Sequence, residues 1–342
     1  MQNSLAEEHP ELFHYTNAAG LTGIIQSQTL WATHYAYLND SEEIRYFLEN
    51  KLPEILRPSI IDQVDKQIES IGDSALRIIK EKHLGGIIES YVLETKDKIK
   101  NTLLEERLSE PYITSFCTRD KNDHFVKDHG LLSQWRGYGQ NGYAIVFDTF
   151  TLSELLEQLH EKGKNGLDLY FEDVFYSSDS YSNFTIKFDR DLEIINNFYK
   201  DSFNENKDEE TRGLDKIYSA LVKCACLYKH WGFKEENEVR IIALPQPMDH
   251  DQFGKEIAAE GIDIPKIPRK HSLRSGVLVP YINLFEDISP NSGKRLPITR
   301  IIVGPTANTE ERKKRVRSVE LLLDQYAIEG VSVTASDIPY IA

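Results

Sequence analysis

Cysteine is scarce in this chain. Cys117, Cys224 and Cys226 are its three cysteines, too few for a disulfide framework. Long apolar runs are missing as well: no stretch approaches the roughly 18 residues of a spanning helix, so no membrane partner is expected. Positive charge is in deficit, with 40 Lys and Arg against 55 Asp and Glu and a net charge of −15. That balance excludes a surface built to coat nucleic acid, whose bulk affinity comes from neutralising phosphates. The one dense basic stretch, "ERKKRVRS" (311–318), runs into Val316, Val319 and Leu321 to Leu323 and reads as the start of an amphipathic helix. The opening "MQNSLAEEHPELF" has neither a basic start nor an apolar stretch, so no signal peptide is expected and the location expected is cytoplasmic. The phosphate-cradling G-x-x-x-x-G-K-[ST] and the nucleophile elbow G-x-S-x-G do not occur.

What is present alternates between strand and helix without a strict βα rhythm. "LFHYT" (12–16) reads as a strand stopped by a capping Thr16 or Asn17, and "GLTGIIQSQTL" (20–30) as a helix. "LWATHYAYLNDSEE" (30–43) reads as a strand ending in an Asn-Asp-Ser turn. Strands are also expected at "YITSFCT" (112–118), "GYAIVFD" (142–148), "EVRIIAL" (238–244), "SGVLVPYI", "ITRIIVGP" and "VSVTAS". "GLLSQWRGYG" (130–139), 151–163 and 309–326 read as helices, the second with Leu152, Leu155, Leu156 and Leu159 on one stripe. Two charged helical blocks, about 42–110 and 189–230, read as insertions. The expectation is a single α+β domain over 1–342 around a mixed or antiparallel sheet.

"GYGQNG" (137–142) spells G-x-G-x-x-G, but a helix precedes it and a strand follows, the reverse of a dinucleotide fingerprint. A helix end and turn explains these glycines. Cys224, Cys226 and His230 have no second Cys/His pair at zinc spacing, so packing explains them better than a metal. Three clusters remain: His14-Tyr15-Thr16 closing an early strand, Gln134-Trp135-Arg136-Gly137-Tyr138 on a short helix, and Glu236-x-Glu238-x-Arg240 opening a late strand. If that strand starts near Glu236, its two carboxylates and the guanidinium share one face at steps of about 6.5–7 Å. That is either a charged rim, such as an edge-strand device against aggregation, or an active site.

These stretches resemble a bacterial family known as domain of unknown function 2971, through "FHYTNAAGLTGII", "YLNDSEE", "ITSFCT", "LSQWRGYGQNGYAIVFD", "WGFKEENEVRII" and "ITRIIVGP". "FHYTNAAGLTGIIQSQTLWAT" and "ENEVRII" are also similar to the opening and the E-x-E motif of ADP-ribosyltransferase-like proteins. That second resemblance implies NAD as substrate, His14 binding its ribose, Glu238 as the catalytic carboxylate and Glu236 orienting the acceptor. It implies an aromatic, Tyr138 or Tyr15, stacking on nicotinamide. The Ser-Thr-Ser of the arginine-modifying branch is absent, and Ser115 is the one serine in a comparable strand.

Three readings follow. The first is an NAD-consuming enzyme, a toxin or phage-defence effector with an unknown acceptor macromolecule and an antitoxin or defence partner. Its carboxylates would stabilise an oxocarbenium-like state, and Arg240 would hold Glu238 or bind pyrophosphate. The second is a metal-dependent nuclease or phosphoesterase with Asp40, Glu43, Glu236 and Glu238 as oxygen ligands. The third is a non-catalytic ligand-sensing or partner-binding module.

Overall fold

The computed structural model describes residues 2–38, 42–105, 110–120, 123–137, 142–162, 166–202, 214–245, 267–274, 276–286 and 295–339. Its centre is an open mixed sheet of β1 (Glu11–Thr16), β2 (Leu30–His34), β3 (Tyr112–Cys117), β4 (Tyr143–Asp148), β5 (Leu167–Asp173), β8 (Glu238–Pro245), β9 (Lys270–Arg274), β10 (Val277–Leu284), β11 (Ile298–Val303) and β12 (Ser332–Ala335). A separate parallel pair joins β6 (Phe175–Tyr176) to β7 (Tyr228–Lys229). Within the large sheet β11 and β12 run parallel and the other pairs antiparallel. The expected α+β class with a mixed sheet is what the chain forms.

The sheet forks at β3. One edge of β3 is covered from Tyr112 to Cys117 by β8, which β5 covers in turn. The other edge is shared: β1 pairs at Cys117 and β2 at Ile113 and Tyr112. Between them the backbone ladder is interrupted, and side chains take over the polar groups that burial would otherwise leave costly. His14 Nδ1 donates to the Ser115 carbonyl at 3.0 Å, and Thr114 Oγ1 donates to the Trp31 carbonyl at 3.1 Å.

Strand alternation sorts the sheet residues onto two faces. On the first, Leu12, Phe116, Ile145, Phe147, Val239 and Ile241 pack under α2 (Ala18–Ser27), α9 (Thr149–Lys162) and α13 (Thr309–Gln325), through Leu21, Ile25, Leu152, Leu156, Val319 and Leu323. Asn17, rather than Thr16, caps α2 by accepting the Gly20 N–H at 2.9 Å. On the second face, Ile113, Ile242 and Leu244 meet a layer built from both helical blocks. The first block supplies α3 (Glu43–Asn50), α4 (Leu52–Glu69), α5 (Ser74–Lys82) and α6 (Leu84–Glu105); the second supplies α11 (Asp189–Ser202) and α12 (Leu214–Leu227). The blocks pack together, α11 on α4 and α12 on α3, so segments far apart in sequence make one helical layer. Beside it, α7 (His124–His129) and α8 (Leu132–Gly137) lie over β1 and β4, where Trp135 joins Phe13, Tyr15, Ala144 and Val146. The remaining helices are α1 (Gln2–Glu8) and α10 (Tyr181–Lys187).

Two sequence expectations need correction. The strand expected over 30–43 stops at His34, because a 3-10 turn, Tyr35–Tyr37, follows, with the His34 ring accepting the Ala36 N–H. The reading also passed over β9, whose sequence "KHSLR" carries no apolar alternation, and β5, "LDLYFED", whose Leu167, Leu169 and Phe171 alternate toward the first face. β5 is further stabilised by full-length pairing with β8.

Candidate functional site

Every position of β8 is buried, since the strand lies between β3 and β5 rather than at an edge. The edge-strand reading of its charges is therefore corrected. Register places Glu238, Arg240 and Ile242 on the second face, opposite Cys117, Ser115 and Ile113. Glu236 does not open the strand as expected. It ends a 3-10 helix, Trp231–Glu236, and Asn237 reverses the chain in the left-handed region at φ 44° before β8 begins, a conformation that asparagine tolerates better than most residues.

The charges nevertheless converge. Arg240 is 2% exposed, and all five of its N–H donors are engaged. Nε and Nη2 grip Glu238 as a fork at 2.7 and 3.0 Å, Nη1 and Nη2 grip Glu43 at 2.5 and 3.0 Å, and Nη1 also donates to the Cys226 carbonyl at 2.6 Å. That carbonyl belongs to the last turn of α12, where helix carbonyls lack intrahelical donors. Lys229, on β7 just beyond the same helix, is 2% exposed and directs its ammonium at Glu236 (2.8 Å), Glu238 (3.0 Å) and Glu43 (3.3 Å). The Phe233 ring lies 4.7 Å from that ammonium. The helical layer, the 3-10 segment and β8 are thus tied by one knot of two cations and three carboxylates.

The electrostatics follow from this closure. Burial pushes the Glu238 carboxyl up, but Arg240 and Lys229, with a hydrogen bond from Ser115, hold it down to about 2. Burial opposes the charge on Arg240 and Lys229, yet Glu238 and Glu43 raise the pKa of both. Burial, reinforced by Glu238 and Glu236, pushes the Cys117 thiol well up, leaving it an inert packing group. Cys224 and Cys226 are likewise buried free thiols raised by burial, and the His230 ring accepts the Gly232 N–H.

The other expected site residues fall into separate places. Ser115 joins the knot through Glu238. Tyr15 shares the second face, is 3% exposed, and stacks edge-on with Trp135 at 4.9 Å while its hydroxyl accepts the Leu131 N–H. Trp135 is 1% exposed and donates to the His129 carbonyl. Its seat depends on two glycines: a Cβ on Gly130 (φ 74°) would come 2.6 Å from its ring, and one on Gly304 3.0 Å. His14 lies with Phe116, ring centroids 5.7 Å apart, in the set that alternates with Ser115 and Glu238. It meets the knot only through the Ser115 backbone, and burial lowers its pKa while that carbonyl opposes the shift. The imidazole and the carboxylates therefore stand on opposite faces of the sheet. Thr16 is buried at the end of β1, opposite Tyr143. Tyr138 and Asp40 lie outside the described residues.

Glu43, Glu236 and Glu238 meet as the metal reading requires, but around the Lys229 ammonium, so the chain supplies its own cation. Sequence reasoning missed Lys229 and the role of Glu43. "YKHWGF" and "NDSEE" carry no spacing that links them, and only the packing of α3 on α12 does so. A second group, Glu8, His9 and Asp173, also went unforeseen; His9 Nε2 meets Asp173 at 2.8 Å and ties the end of α1 to β5.

Residues 134–241 match the model of a family described as a protein of unknown function, DUF2971. The matched segment runs from within α8 into β8 and contains Trp135, Lys229, Glu236, Glu238 and Arg240. No curated protein and no solved structure matches the chain. Among the described residues, no helix is long and apolar enough to cross a membrane.

Proposed function

We propose that this chain is a ligand- or partner-binding module in which Glu238 and Arg240 lock the fold rather than perform acid–base chemistry. One observation carries the reading: the Glu238 side chain, 3% exposed, is held by Arg240, Lys229 and Ser115, with both carboxylate oxygens hydrogen-bonded. A carboxylate so occupied has to leave two cations before it can meet a substrate, and freeing one partner of a buried ion pair costs about 3–5 kcal/mol. The position of His14 beside Phe116 supports the same reading.

NAD-dependent ADP-ribosyl transfer is the second reading, favoured by Glu236. Its side chain is 26% exposed and touches Glu238 through their shared partner Lys229. The two cations and three carboxylates sum to one negative charge, and Glu236 is the carboxylate nearest solvent. On this reading Glu236, rather than Glu238, would face the cationic sugar of the transition state. Incubation of the protein with NAD and a range of protein and nucleic-acid acceptors, with nicotinamide release as the readout, separates the two. The binding-module reading expects wild type and Glu236→Gln to be equally silent. Release by wild type that Glu236→Gln abolishes would replace it with the transferase.

A further inference from the structure

Arg300 differs from every other buried cation described above. It sits on β11, where register slips by one residue: Ile298 faces Phe147 and Arg300 faces Val146, so Thr299 is an inserted bulge. Without the bulge Arg300 would pair with Ile145 and point into the apolar core of the first face; with it, Arg300 joins Phe13 and Val146 on the second. Bulges commonly re-aim side chains at functional positions. The re-aimed guanidinium is only 12% exposed, and its Nε and Nη2 are buried with no hydrogen-bond partner among the described residues. These two nitrogens form the edge that grips a carboxylate or phosphate in parallel bonds, the same edge that Arg240 uses on Glu238. Burying such donors unsatisfied is costly.

The surroundings favour an anion. Arg119, from the segment following β3, donates through Nη2 to Glu11 Oε2 at 3.1 Å and through Nη1 to the Asp120 carbonyl at 3.0 Å. Glu11 Oε1 stands 3.6 Å from Arg300 Nη2, and Asp128 Oδ1, on α7, 3.6 Å from Arg300 Nη1. Both exceed hydrogen-bonding reach. Asp128 is 61% exposed and screened; at the buried end the guanidiniums of Arg119 and Arg300 both approach the carboxylate of Glu11, and the Asp128 side is the more open one.

We propose that Arg300, with Arg119 beside it, binds the oxyanion of a small molecule, a phosphate or carboxylate group seated on the Nε–Nη2 edge beneath α7. The site stands apart from the knot of Glu238 and does not depend on how that knot is read. Titrating the whole chain with inorganic phosphate, with acetate, and with chloride at matched ionic strength, while following its melting temperature, tests the assignment. A saturable rise with phosphate or acetate, absent with chloride, is expected, and whichever anion produces it names the ligand chemistry. Arg300→Lys keeps the charge but loses the fork, and should weaken that binding about tenfold or more, the worth of a charge-assisted hydrogen bond. Arg300→Gln should abolish it. A rise equal to that with chloride, no rise, or one that persists unchanged in both variants would overturn the site and leave Arg300 as an ion-pair residue of β11.

Discussion

Arg240 and Arg300 stand on the same face of one sheet and have opposite surroundings. Glu238, the partner of Arg240, lies in a lateral row that passes through Cys117, Phe13 and Val146 to Arg300. That row is four strand steps, roughly 19 Å at ordinary strand spacing. Arg240 has every donor satisfied by carboxylates from α3 and β8 and by a helix-end carbonyl. Arg300 keeps its fork edge buried without a hydrogen-bond partner among the described residues, with Glu11 at ion-pair distance only. The difference teaches that burial alone does not assign a role to a charged residue. A guanidinium whose hydrogen bonds close within the protein is cement, whereas one whose bonds stay open is a candidate for recognition.

The comparison can be broken at either end. The largest effect is expected at Arg240→Met, which leaves the buried Glu238 and Glu43 to the single charge of Lys229 and should cost about 3–5 kcal/mol in urea unfolding; a neutral result would dissolve the knot as a structural element. Next comes pH. Glu238 is held at about 2 in the folded chain, below its ordinary 4.5, so its contribution to stability is fully present above about 4.5 and fades as pH falls toward about 2. Melting temperature measured across that window should fall in wild type and fall less in Glu238→Gln; parallel curves would contradict the shift. Ser115→Ala removes one hydrogen bond to Glu238 and should cost about 1 kcal/mol in the same unfolding experiment. The smallest change is expected at Arg300→Met. Without added anion, exchanging an unsatisfied guanidinium for an apolar side chain of similar length should be neutral within about 1 kcal/mol, or slightly stabilising. A loss as large as that at Arg240 would erase the distinction between the two arginines.

Much of the scaffold was legible because its signals are local. The short buried runs "YITSFC" and "GYAIVFD", the Asn17 cap and the leucine stripe of α9 each act within a few residues. The motif "ENEVR" stood out because charged residues enter an apolar strand there. Its reading as two carboxylates on one strand face failed where Asn237 turns left-handed and takes Glu236 off the strand. The partners of Arg240 could not be read, because Glu43 is 197 positions away in sequence and no pattern links the two.

The sequence by itself determined that an α+β chain with a central sheet would form, and that Glu238 and Arg240 would share one side of a strand, since both follow from backbone periodicity. Only the tertiary structure decided what that side faces. Docking α3 and α12 over β8 removes water from the charges and forces them to neutralise one another, while one bulged residue in β11 turns Arg300 away from the core. Local pattern sets direction along a strand; desolvation, which is set by segments remote in the chain, determines whether a charge is locked or left open to a ligand.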